Sequence, residues 1–194
     1  MDVERMDVLK VINHYYGEGD SELKSLLLQH SEAVAQRALR IADCHPELQL
    51  DRSFLYDAAM LHDIGIIECH APGIHCHGWA PYICHGVIGS RMLHWYGIDN
   101  KYARVCARHT GAGLTQMDIV SQKLPLAPVS LLPETMEEKV ICYADKFYSK
   151  SHPEQEKTLE QAIHSLEKFG PEGVARFRQW AEAFEESRGP RVES

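Results

Sequence analysis

An adjacent pair, His62-Asp63, lies at the end of an apolar helical run and immediately before Ile64-Gly65. Burying an imidazole beside a carboxylate costs free energy unless a cation or good hydrogen bonds replace the lost water. A divalent metal ion provides that compensation, because imidazole nitrogens and carboxylate oxygens are both metal ligands. The pair therefore predicts an active site built on a metal ion.

Other residues of metal-binding type flank this pair at wide spacing, and two of them lie in apolar helical stretches. His30 lies on the apolar face of its predicted helix, where a lone histidine is more often a hydrogen-bonded core residue than a ligand. Asp145 lies in an apolar helix interior, and its neighbour Lys146 points about 100° away around the helix, so a metal is the better predicted partner. With the central pair they form a two-histidine, two-carboxylate set that suits Zn, Mn, Fe or Ni.

Two more histidines are predicted at helix ends. His85 begins a predicted helix and His109 ends one. Each has an ordinary explanation when taken alone: a surface histidine for His85, and a histidine favoured by the helix dipole for His109. Their order along the chain, relative to the other residues of metal-binding type, makes both histidines candidate ligands as well.

The elements that must position these residues are helical nearly throughout, as the apolar periodicity shows. Helices are predicted over residues 2–16, 21–45, 51–63, 83–96, 100–109 and 134–151, and on both sides of Gly170-Pro171. Proline and glycine predict two long loops, residues 68–84 and 111–133, and no useful β-alternation or internal repeat occurs. The prediction is an all-α, single-domain fold over residues 1–194, with a metal-binding core at about 21–152 and C-terminal helices at 153–188.

Composition narrows the class of protein. The 194 residues carry a net charge of −8, which argues against non-specific nucleic-acid binding. No run of about eighteen apolar residues predicts a membrane span, and the first residues lack a signal-peptide pattern, so we expect a cytoplasmic protein with no membrane partner. Six cysteines show no C-x-x-C spacing, which predicts buried free thiols rather than a disulfide framework.

The order of these motifs resembles the HD superfamily of metal-dependent phosphohydrolases, of the HDIG type. The matching order is His30, then Leu61-His62-Asp63-Ile64-Gly65, then His85 with Gly89, then His109, then Ala144-Asp145-Lys146. The resemblance covers about residues 29–150 and implies an all-α HD-domain bundle around a buried metal site. It implies one metal held by His30, His62, Asp63 and Asp145. It also implies a second metal held by His85 and His109, with Asp63 bridging the two.

The resemblance also implies an activity. It implies hydrolysis of a phosphoester or phosphoanhydride in a small nucleotide-like substrate, with a metal-bound hydroxide as nucleophile and His62 and Asp63 as the catalytic pair. Iron or manganese is the implied metal, with zinc, nickel or magnesium as alternatives. The Gly-Tyr-Pro signature of the HD-GYP branch is absent, which counts against cyclic-di-GMP. Two other functions stay open: a di-iron oxygenase with the same ligands, and a non-catalytic nucleotide-sensing module.

Three basic residues are candidates for holding the substrate phosphate. Lys146 matches a lysine often found there in the family, although it also suits a solvated helix surface. Arg37 lies two helical turns after His30 on the same face, where it meets either substrate or an acidic structural partner. Lys150 is a weaker candidate. The loop at residues 68–78 has three histidines and two cysteines, which suggests another metal site or, more simply, a wall of the substrate pocket.

Overall fold

Nine α-helices and two small antiparallel hairpins make up residues 6–185, the part of the chain that this computed structural model describes. The helices are α1 (Val8–Tyr16), α2 (Glu22–Cys44), α3 (Arg52–Leu61), α4 (His85–Tyr96), α5 (Asn100–Arg108), α6 (Gln116–Ser121), α7 (Met136–Asp145), α8 (Leu159–Leu166) and α9 (Pro171–Phe184). The hairpins pair β1 (His70–Ala71) with β2 (Cys76–His77), and β3 (Tyr148–Ser149) with β4 (His152–Glu156). The prediction of an all-α fold is confirmed.

Polar caps begin the two helices that lead to the site. The Ser21 hydroxyl accepts a hydrogen bond from the Lys24 amide at 3.1 Å, and the Asp51 carboxylate accepts one from the Phe54 amide at 3.0 Å. Each bond satisfies an amide that has no partner inside its helix. The starts of α2 and α3 are therefore encoded locally, as the sequence predicts.

The long helix α2 packs against α3 and α7, while α4 packs against α5 and against the 3-10 turn Ile64–Glu68. Apolar side chains from these helices form one continuous core. Because α3, α5 and α7 end on the same side of this core and α4 begins there, residues far apart in sequence meet at these helix ends.

A close backbone contact between the turn after α3 and the first turn of α4 requires glycine. A Cβ atom on Gly65 would lie 2.2 Å from the His85 carbonyl oxygen and 2.4 Å from the Gly89 amide nitrogen. Any larger residue would separate the two segments. Gly65 thus allows Asp63 and His85 to approach each other.

The sequence prediction is wrong in the connection between α7 and α8. Helix α7 ends at Asp145 instead of continuing to residue 151, and a hairpin precedes α8 where only helices were predicted. Contacts across the fold favour the hairpin: the Arg40 guanidinium on α2 lies 3.3 Å from the Tyr148 hydroxyl and 3.4 Å from the Glu156 carboxylate. Such contacts override local helical preference.

The predicted loop at 111–133 also contains the short helix α6, which begins with a capping box between Thr115 and Asp118. Residues 2–5 of the first predicted helix and residues 186–188 of the predicted C-terminal helices lie outside the described residues. Five of the six cysteines are buried, and no disulfide joins any of the six within residues 6–185, as the composition predicts. None of the helices described is long and apolar enough to cross a membrane.

Candidate metal centre

The structure brings all six predicted metal ligands into one buried cluster. One lies within α2, and the other five lie at the ends of α3, α5 and α7 or at the start of α4. None exposes more than 6% of its surface. The six residues are His30, His62, Asp63, His85, His109 and Asp145.

The two carboxylate oxygens of Asp63 face two different groups of histidines. Its Oδ2 lies 3.1 Å from His30 Nε2 and 3.0 Å from His62 Nε2. Its Oδ1 lies 3.3 Å from both His85 Nε2 and His109 Nε2. Asp63 is therefore shared by two groups of donor atoms, each compact enough to hold a metal ion.

Asp145 completes the first group. Its Oδ1 lies 2.9 Å from His30 Nε2 and 3.4 Å from His62 Nε2. Its other oxygen lies 2.6 Å from Lys146 Nζ, which corrects the expectation that this lysine is poorly placed to neutralise it. The angle of about 100° describes only the directions in which the two side chains leave the helix. Asp145 is the last residue of α7, and the flexible lysine side chain folds back over the helix end.

Backbone carbonyls set the tautomers of three of the histidines. In His62, His85 and His109, Nδ1 donates a hydrogen bond to the carbonyl three residues earlier, at 2.6, 2.7 and 2.7 Å respectively. A carbonyl oxygen only accepts, so the hydrogen of each neutral ring is on Nδ1. Each Nε2 therefore directs a lone pair into the cluster.

Several donor atoms of the cluster have no hydrogen-bond partner among the described residues. His62 Nε2 and both Asp63 oxygens are buried without a hydrogen bond of acceptable geometry, and the Nε2 atoms of His85 and His109 face each other at 2.9 Å. Buried acceptors in this state are costly. A divalent cation would satisfy them, since two nitrogens held at about 2.1 Å from one ion at right angles lie about 3 Å apart. The donor set fits a metal ion.

The electrostatics of the cluster keep four of the six candidate ligands in metal-binding form. Burial lowers the pKa of His85 to about 3 and also lowers the pKa of His109, so both rings are neutral at pH 7. Burial acts against ionisation of Asp63 and Asp145, yet nearby cationic groups hold both pKa values well below their usual range. The pKa of His62 is raised to about 9, because its carboxylate neighbours outweigh the effect of burial. A cation at this position would displace that proton.

Lys150, the weaker candidate, is closest to the centre of the cluster. Its Nζ lies 2.6 Å from Asp63 Oδ2 and 5.8 Å from the centroid of the Tyr82 ring. The Tyr82 ring in turn stacks on the His85 ring, with centroids 4.7 Å apart. The sequence did not single out Tyr82, whose only signal is its position three residues before a ligand.

A cavity of about 800 Å³ opens over the cluster. Three of the ligands, His85, His109 and Asp145, lie in its wall. Four lysines line it as well, at positions 146, 150, 157 and 168. Its surface is therefore strongly cationic, and it suits an anionic ligand.

The loop at residues 68–78 contributes to the wall of this cavity, and among the described residues it provides no further metal site. Ala71, Gly73 and Ile74 line the wall, whereas His70 and His77 are exposed on the hairpin. Among the described residues, the groups that could hold a metal include none of the loop histidines or cysteines. The structure therefore fits the interpretation of this loop as a wall of the pocket.

Arg37 has acidic structural partners. Its guanidinium pairs with Glu156 and, at 2.6 Å, with Glu185, and it lies 3.4 Å over the centroid of the Phe147 ring. These contacts attach β4 and the end of α9 to α2. An acidic structural partner is one of the two alternatives that the sequence offers for Arg37. Binding of substrate by Arg37 stays a prediction.

A helical domain with a buried four-histidine, two-aspartate cluster at its helix ends defines a class of metal-binding proteins. The family model described as HD domain matches residues 27–149, which include all six cluster residues. The chain belongs to the HD domain family.

The chain is similar to proteins of three organisms. The chain is 36% identical over 124 residues to a tRNA (cytidine(56)-2'-O)-methyltransferase of Picrophilus torridus, covering 64% of this chain and 32% of that protein. It is 29% identical over 160 residues to the protein of the same name in Thermoplasma volcanium, covering 82% and 40%. It is also 33% identical over 121 residues to an uncharacterized protein of Methanocaldococcus jannaschii, covering 61% and 64%. The chain thus spans about a third of the two methyltransferases, and no solved structure matches it significantly.

Proposed function

We propose that this protein is a metal-dependent phosphohydrolase that cleaves a phosphoester or phosphoanhydride bond in a small nucleotide-like substrate. The observation that carries the proposal is Asp63, whose two oxygens face separate donor groups beside a cavity lined by four lysines. Metal ions and positioned cationic side chains both stabilise the negative charge of a phosphoryl group during its transfer.

Each part of the cluster has its own role in this proposal. His30, His62, Asp63 and Asp145 would hold one ion, while His85 and His109 would hold a second ion together with Asp63. When bound, the ions activate water as a nucleophile and neutralise negative charge on the phosphoryl group. The proposed metal is iron or manganese, as the family resemblance implies, with zinc, nickel or magnesium as alternatives.

The cavity side chains bind and orient the substrate. The ammonium groups of Lys146 and Lys150 lie beside the cluster carboxylates, which supports a role for both lysines in holding phosphoryl oxygens next to the metal donors. The rings of Tyr82 and Phe169 offer apolar surfaces on which a nucleobase can pack. A volume of about 800 Å³ is in the range of small-molecule sites.

The names of the two methyltransferase relatives do not by themselves argue for methyl transfer by this chain. Each match covers at most 40% of the longer protein, so most of each relative has no counterpart here. The HD domain match over residues 27–149 does contain the cluster of candidate metal ligands, which favours hydrolysis.

A direct test is to load the protein with Mn²⁺ without oxygen and to follow a panel of nucleotides by ³¹P NMR. We expect phosphate or a nucleotide product to form. The Asp63→Asn variant, which keeps the shape of the side chain, should lose both activity and metal. A reaction that requires iron and O₂ would instead favour the oxygenase, and wild-type protein with neither metal nor cleavage would favour a sensing module.

A further inference from the structure

One wall of the cavity lies beyond the region that defines the family. The HD domain match ends at residue 149, whereas the cavity is also lined by Lys157, Lys168 and Phe169. These residues belong to the segment 157–169, which comprises α8 and the residues on either side of it. We name this segment the C-terminal wall.

The C-terminal wall is fixed to the loop that follows the ligand His109. A Cβ atom on Gly111 would lie 3.3 Å from two carbons of the Phe169 ring, so the ring packs directly on this glycine. The Gln122 side chain donates to the Phe169 carbonyl at 3.4 Å, and Arg176 of α9 donates to the Ala112 carbonyl at 2.7 Å. The wall therefore has a defined position over the metal donors.

The lysines of the wall differ from the two lysines near the cluster. Lys146 and Lys150 each contact a carboxylate of the cluster. Lys157 and Lys168 form no ion pair with a carboxylate in residues 6–185: Lys157 Nζ lies 3.5 Å from the Lys146 carbonyl, and Lys168 Nζ lies 5.1 Å from the centroid of the Phe169 ring. Burial lowers the pKa of Lys157, and repulsion from the other lysines lowers it further. The attraction of the cluster carboxylate Asp145 acts in the opposite direction. Positive charge is therefore concentrated at the wall, where neither lysine is held in an ion pair within the part of the chain that the structure describes.

We propose that Lys157 and Lys168 form a distal anion subsite, which binds a second phosphoryl group while the scissile one lies at the metal donors. The preferred substrates are then molecules with linked phosphoryl groups rather than monophosphates. This inference rests on the proposed function for the position of the scissile group. It is favoured because ammonium groups in a concave wall attract anions strongly when no carboxylate neutralises them.

The test compares two ligands that cannot be hydrolysed: methylphosphonate, with one phosphoryl-type group, and the bis-methylene analogue of tripolyphosphate, with three. Each is titrated by calorimetry into Mn²⁺-loaded full-length protein at a fixed free Mn²⁺ concentration. We expect the Lys157→Met/Lys168→Met variant to bind the triphosphate analogue at least about 10-fold more weakly, because two charge-assisted contacts are lost. Its affinity for methylphosphonate should stay within about twofold.

Two controls separate the subsite from general effects of charge and folding. Lys10→Met removes one charge from the exposed face of α1, outside the cavity lining, and should change neither affinity. The single variant Lys168→Met alters an exposed side chain, so it tests the subsite even if the double variant does not fold. Equal weakening of both ligands, or no weakening of either, would overturn the subsite. If the protein cleaves no phosphoester, the hydrolase proposal fails, yet the difference between the two ligands still reports on the lysines.

Discussion

The Nε2 atoms of His85 and His109 lie 2.9 Å apart in the interior, and each ring donates its Nδ1 hydrogen to a backbone carbonyl. Two neutral imidazoles in this tautomer cannot hydrogen-bond to each other, because both facing atoms are acceptors. A proton between them is disfavoured, since burial lowers the pKa of both rings. A metal ion is the partner that satisfies both nitrogens.

The first prediction follows from this pair. His85→Ala removes one donor from the group formed by Asp63, His85 and His109 but leaves the other group intact. We expect metal content, measured by plasma mass spectrometry on protein loaded with excess Mn²⁺, to fall from about two ions per chain to about one. His94→Ala, on the exposed face of the same helix, should keep the wild-type content. A wild-type protein with one ion per chain would contradict the two-ion proposal.

Replacement of Lys150 should have opposite effects on metal affinity and on catalytic efficiency. Its ammonium lies 2.6 Å from Asp63 Oδ2, so it competes with a metal ion for the same oxygen. Lys150→Met should therefore bind Mn²⁺ more tightly. It should also lower kcat/KM for the substrate by about 10- to 100-fold, because a charge-assisted contact with phosphate is lost.

The two effects of Lys150→Met are measured separately, by Mn²⁺ titration with electron paramagnetic resonance and by steady-state kinetics. Lys10→Met serves as a control for the loss of one positive charge. Weaker metal binding in Lys150→Met would show that the lysine mainly holds Asp63 in position.

Gly65 tests whether backbone contact determines the geometry of the site. In Gly65→Ala the new Cβ would lie 2.2 Å from the His85 carbonyl oxygen, so the turn after α3 must move away from α4. Overpacking of this kind costs about 1–3 kcal/mol, occasionally more. We expect that loss in the free energy of unfolding by urea, together with weaker metal binding. In Gly19→Ala the new Cβ meets no atom within 4 Å, so unchanged stability is expected there and equal losses in both variants would contradict the argument.

The sequence predicts the metal ligands better than it predicts the substrate residues, for a physical reason. His62 and Asp63 stand out because polar residues in an apolar helical run are costly to bury without a partner, and their order with the other ligands is specific. Lys157 and Lys168 are two of the 20 lysines and arginines of the chain, and nothing local separates them from solvated residues. Their meaning depends on where α8 lies over the cavity.

The local sequence pattern does not indicate the hairpin after α7, for a related reason. Residues 146–151 continue the helical pattern of α7, but the chain turns into a hairpin whose Tyr148 contacts Arg40 of α2, 108 positions earlier in the chain. Lys150 is therefore not one helical turn beyond Lys146, and its place on Asp63 follows from the changed path of the chain. Tertiary contacts of this range are not visible in a local sequence pattern.

Arg37 provides the last prediction, which separates a structural role from substrate binding. The guanidinium pairs with Glu156 and Glu185 and lies over the ring of Phe147, although both glutamates are about 40% exposed. We expect Arg37→Met to lower the free energy of unfolding by about 1–3 kcal/mol, the sum of weakened ion pairs and a cation–π contact. The KM for substrate should stay within about twofold of wild type, because these contacts attach α2 to β4 and α9 rather than to the cavity.

The measurements for Arg37→Met are urea unfolding and steady-state kinetics on the same preparation. Arg91→Met is a matched control: it removes an exposed arginine from α4 whose guanidinium lies 5.9 Å from the centroid of the Trp95 ring, without a paired carboxylate in the described residues. Its unfolding free energy should change by less than about 0.5 kcal/mol, as for most surface substitutions. A large rise in KM for Arg37→Met at unchanged stability would instead place Arg37 among the substrate contacts, since loss of uniform binding appears in KM while loss of structure appears in the unfolding free energy.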